Sequence, residues 1–138
     1  MDADGCADVS PKGDPAGSML RLSGSSVSFA ERPGNRIKDS LRNILTQPAA
    51  AMLAIIPGAT TVANLTGRAR IVDDAGARAA FAVDGKTPKL ITTLESVQIA
   101  LRPSPALQRA APWPLRATDH GIDPPAVLTA HVKRSKLG

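Results

Sequence analysis

AAAMLAIIPGATTVANLTGRARIV, residues 49–72, decides the fold. Its first eight residues are apolar throughout, a run of strand length that is far too short to cross a bilayer. Pro57-Gly58 supplies a turn. Residues 60–72 are rich in β-branched side chains and read as a second, longer strand. Gly67 inside it marks a bulge or a tight backbone approach. The unbroken apolar character of residues 49–56 predicts a strand buried on both faces.

The pattern changes on either side of this pair. Upstream, Ile37, Leu41, Ile44 and Leu45 fall at i, i+4, i+7 and i+8, the spacing of an amphipathic helix. Asn35 caps it and Pro48 ends it. Before the helix, residues 19–22 and 26–30 read as strands around Ser23-Gly24-Ser25. Val27 and Phe29 alternate with Ser26 and Ser28, so the second strand has one buried face. Residues 31–34 form a loop. Residues 2–5 (DADG) make a tight turn, 7–10 a short outgoing strand, and 11–17 a loop. Downstream, Asp73-Asp74 cap a short helix over 75–83, and residues 84–88 form a loop. Residues 90–101 are the last clear strand. A Pro-rich segment follows, with short helices at 106–111 and 127–133. The fold class is mainly β, a β-barrel with a few short helices, with an α+β layout as the other arrangement. The 138 residues suit one domain, residues 1–116, followed by a C-terminal tail, 117–138.

Composition narrows the partners. The net charge of +5 is carried mostly by Arg and permits an anionic partner. Phe29, Phe81 and Trp113 are the only aromatic residues, so a stacking platform for nucleic acid is lacking and no nucleic-acid partner is expected. Neither a leader-like N-terminus nor a membrane segment is read here. With Cys6 as the sole cysteine, the expected location is the cytoplasm.

The densest polar cluster spans residues 10–14 and 32–43, the latter reading RPGNRIKDSLRN. Gly34 lets the backbone turn into a helix whose first N–H groups and positive dipole end suit an anion. Arg36 and Ser40 lie four residues apart, with Asn43 one turn on, and Lys38 and Arg42 form a second pair. On the residues alone, a solvated polar face is the commoner meaning of such a helix. Other constellations do not form. His120 and His131 with Cys6 lack metal-ligand spacing. Asp119 and His120 make no triad signature, and no dinucleotide or Walker loop is present. Residues 133–136 (KRSK) read as a solvated terminus. No catalytic residue is assigned.

These segments resemble a known family. DADGCADVSPKGDPAG (residues 2–17) is similar to the DADGxxDVSPRGDxPG segment of a bacterial branch of the pyridoxamine 5'-phosphate oxidase-like proteins. ERPGNRIKDSLRNIL (residues 31–45) is similar to its DRPGNRRxDSLRNIL segment. IPG (56–58), GRARIV (67–72) and FAVDGKTPKL (81–90) match further blocks in the same order. The resemblance implies a split β-barrel of the FMN-binding type, a homodimer with FMN at the subunit interface, and oxidoreductase-like chemistry on an unassigned substrate. It implies a cofactor-binding set of Lys12, Arg32, Asn35, Arg36, Lys38, Asp39 and Ser40, with the phosphate near the start of the helix. This tips the helix from solvated face to anion site. Lys12 stands for the family's Arg and keeps its charge. Three departures stand against the family's pattern: Ile37-Lys38, where one basic group has moved by one position, and TVANLT at 61–66 and ALRPSPAL after Ile99, which lack polar or basic residues the family carries. They leave open a non-catalytic flavin, deazaflavin or haem carrier or sensor, or a paralogue that has lost its cofactor. The resemblance also implies that a first barrel strand, which would enter the turn at residues 2–5, is missing. The expectation is an unpaired edge beside residues 7–10 and uncovered apolar residues such as Val9.

Overall fold

The computed structural model describes residues 8–32, 39–114 and 126. Five strands and three short helices follow in the order β1 (Leu20–Ser23), β2 (Ser26–Glu31), α1 (Asp39–Thr46), β3 (Ala49–Ile55), β4 (Thr61–Val72), α2 (Ala75–Ala79), β5 (Leu90–Pro103) and α3 (Pro105–Ala110). The strands form one antiparallel sheet in the order β1-β2-β5-β4-β3. The fold is thus mainly β. The sheet is open among the described residues, because β1 and β3 each have a single strand neighbour. No helix of the described residues is long and apolar enough to cross a membrane.

Strand alternation gives each sheet face its own core. On one face, Phe29 of β2, Leu94 of β5 and Ala69 of β4 form a buried cluster. Leu20, Ile44, Ala50, Met52 and Val97 pack against it. Ile44 is the contribution of α1; Leu41 is half-buried, while Leu45, which the helical spacing placed on the same stripe, is 76% exposed. On the opposite face, Ala30, Ile91 and Phe81 form a second cluster bordered by Val72. Phe81 arrives from the turn after α2, and the Arg21 guanidinium lies 5.2 Å from the centre of its ring. Asp74 caps α2 by accepting from the Ala77 N–H. The helix is shorter than residues 75–83 because the chain turns at Phe81 to bury that ring.

Strand β5 changes partners along its length. Its first half lies between β2 and β4, with Val27 opposite Leu94 and Leu94 opposite Ala69. A bulge then sets Ser96 and Val97 opposite the single residue Gly67. Ser96 takes up the distortion at φ 52°, and the Val97 N–H turns to the Ser25 carbonyl at 2.9 Å. The bulge read from Gly67 is therefore present, and it is where β5 leaves β2.

Two readings are corrected. Strand β3 is not buried on both faces. It is an edge strand paired only with β4, so exposure alternates along it, and Leu53 and Ile55 are 56% and 48% exposed. Residues 8–10 form no strand. The Asp8 side chain is drawn to α1 instead, and Val9 is 94% exposed. The turn at residues 2–5, the start of the α1 segment, the helix at 127–133 and residues 133–136 lie outside the described residues, as do Cys6, His120 and His131.

Candidate functional site

A cleft of about 1310 Å³ opens beside the first sheet face. Both edge strands reach it: Leu20 of β1 on one side and the whole of β3 on the other. Phe29, Ala69 and Leu94 belong at once to the core cluster and to the cleft lining. The loop from Asp8 to Met19 and the polar side of α1, at Ser40 and Asn43, complete the wall. The cleft is thus apolar along the sheet and polar where it meets the loop and α1. It exceeds the roughly 300–1,000 Å³ typical of small-molecule sites.

Lys12, Arg32, Ser40 and Asn43 of the sequence-predicted cluster each have an internal partner. Lys12 donates to Glu31 at 2.6 Å. Glu31 also accepts from the Thr92 hydroxyl at 2.7 Å, and Thr92 itself is 1% exposed. Arg32 forks onto Asp14 through Nε and Nη2 at 3.0–3.1 Å. The Asp14 side chain is only 9% exposed, so this is a largely desolvated, charge-assisted pair. Ser40 donates to the carboxylate of Asp8, and Asn43 donates to its other oxygen at 2.7 Å. These hydrogen bonds, Ser40's first and Asn43's second, hold the Asp8 carboxyl below the ordinary carboxylate range.

Of the expected cofactor set, Lys12 and Ser40 line the cleft. Arg32 is pinned on Asp14 and is not among the lining residues. Asp39 is the first residue of α1. Asn35, Arg36 and Lys38 lie outside the described residues. Asp8, Asp14 and Glu31 were not singled out from the sequence. Each lies 18–61 residues from its partners, so no local spacing signals the pairing. Comparisons with protein-family models, with curated proteins and with solved structures find no match.

Proposed function

We propose that the chain is an FMN-binding, oxidoreductase-like protein of the pyridoxamine 5'-phosphate oxidase-related class, and that its open sheet belongs to a split β-barrel. The observation that carries this reading is the cleft itself. It is large, apolar along Phe29, Ala69, Leu94 and Met52, and polar at the end formed by α1. That division suits a ligand with a flat apolar ring and a charged tail. The ring would lie along the sheet. The tail would point to the start of α1, where Ser40 lines the cleft; Asn35, Arg36 and Lys38, just before it in sequence, lie outside the described residues. Bound FMN would supply the redox chemistry, while the chain binds it, orients it and excludes water. A second copy covering the exposed apolar residues of β3 and β5 would make the homodimer.

A second reading has its own observation. Lys12, Arg32 and Ser40 are already engaged by Glu31, Asp14 and Asp8, which favours a paralogue that keeps the fold without the cofactor. The visible spectrum of the purified protein, before and after incubation with FMN and gel filtration, separates the two. Flavin bands retained at a stoichiometric level are expected. A colourless protein that leaves FMN fluorescence unchanged would overturn the first reading in favour of the second.

A further inference from the structure

Glu31 is an unusual residue to find facing an apolar cleft. Its side chain is 14% exposed and lines the cleft beside Phe29 and Leu94. A carboxylate in such a place is costly unless its acceptor positions are used. One oxygen accepts from Thr92 and the other from Lys12. An ionised carboxylate has about four acceptor positions, so two remain. Thr92 is buried in the sheet and Lys12 comes from the loop. Together they hold the carboxylate from two sides and fix where the remaining acceptors lie. Among the described residues, Asp8, Lys12 and Glu31 are the only ionisable ones in the cleft lining. Of these, Asp8 is occupied by Ser40 and Asn43 on α1.

We propose that Glu31 reads the ligand's ring by accepting a hydrogen bond from a ring N–H, so that the cleft selects flat heterocycles carrying an imide or amide N–H. This rests on the reading that the cleft holds a flavin, whose ring has one such imide nitrogen. Lys12 and Thr92 are positioning residues: they hold the carboxylate in place and do not touch the ring. An anionic ring edge would be repelled by Glu31, and an edge without a donor would leave its acceptors unused.

The test compares riboflavin with riboflavin methylated at the imide nitrogen, using fluorescence titration of the full chain. Methylation is expected to weaken binding roughly 10- to 100-fold, as for a lost hydrogen bond to a charged group. In the double variant Glu31→Ala/Thr92→Val, which leaves no buried hydroxyl without a partner, the two ligands should bind alike. If that variant does not fold, Glu31→Gln serves, since its neutral amide should shrink the penalty to a few-fold. An equal methylation penalty in wild type and variant would assign the effect to crowding elsewhere and overturn the role of Glu31. Methylated riboflavin that binds the wild type as tightly as riboflavin would overturn that role alone. If only FMN binds, the same comparison is made between FMN and its imide-methylated form; riboflavin and FMN that both fail to bind would overturn the flavin reading, and this proposal with it.

Discussion

The bulge at Gly67 should be intolerant of even one methyl group. A Cβ built on Gly67 would sit 2.7 Å from the Glu95 carbonyl oxygen, closer than side chains approach backbone in folded proteins. The obstacle is backbone in the middle of the sheet, where β5 is paired with β4 on both sides of the bulge, so it cannot swing aside as a side-chain tip would. The next neighbour, Val97 Cγ2 at 3.5 Å, is in ordinary contact and adds nothing. Overpacking of this kind costs about 1–3 kcal/mol. The smaller entropy of an Ala-containing unfolded chain returns about 0.4–1 kcal/mol. Gly67→Ala should therefore destabilise the protein by about 1–2 kcal/mol, or lower the melting temperature by roughly 3–8 °C. Gly13→Ala is the control: nothing lies within 4 Å of its added Cβ and its φ is not positive, so it should be neutral or slightly stabilising. Melting followed by circular dichroism reads both. A Gly67→Ala protein that melts with the wild type would show that the two strands do not meet this closely.

Acid should release residues 8–10 from α1. The folded Asp8 carboxyl titrates below its ordinary range because Ser40 and Asn43 donate to its charged form. The stability it contributes is therefore present above the unfolded value and lost as pH falls through the folded one. The Asn43 side-chain amide signals should shift with that acid titration and be insensitive to it in Asp8→Asn; an Asp8 titration at or above the ordinary aspartate value would refute this. Arg32→Ala should cost roughly 1.5–3 kcal/mol in urea unfolding even without ligand, because it strands the nearly buried Asp14 carboxylate. A loss under about 0.5 kcal/mol, the range of an exposed pair, would mean the fork onto Asp14 is not made.

Local chemistry was legible where a residue acts on its own neighbours. The Val27 and Phe29 alternation, the inward placing of Ile44 on α1, the Asp74 cap and the Gly67 bulge are all written within a few positions of the residues concerned. What the sequence concealed depends on which strand lies beside which. The run at residues 49–56 has no alternation to show that β3 is an edge. An all-apolar segment looks the same whether one face is covered or both. Val9 between Asp8 and Ser10 mimics a strand, yet Asp8 is drawn to α1 by Ser40 and Asn43. Of the cleft's polar lining, Lys12 and Ser40 stand in clusters legible in the sequence. The partnering carboxylates were not legible, because Asp14 reaches Arg32 and Glu31 reaches Lys12 only once the loop has folded onto β2.

Those carboxylates decide how a ligand would lie. The chain is strongly basic, but among the described residues the charged ones lining the cleft are two carboxylates, Asp8 and Glu31, and one ammonium, Lys12. The excess of arginine is spent elsewhere. Arg21 covers Phe81, Arg70 pairs with Glu95, and Arg78 pairs with Asp73, while Arg102 and Arg109 are exposed. A phosphate drawn into the sheet end of the cleft would meet Glu31 and lose its hydration with no free cation in return. At the α1 end it would meet Ser40 and Asn43, in competition with Asp8 for the same two donors. Under the proposed flavin reading, the described charges favour the ring toward β2 and β5 and the anionic tail toward α1. They also make Asp8 the group that an incoming phosphate must displace.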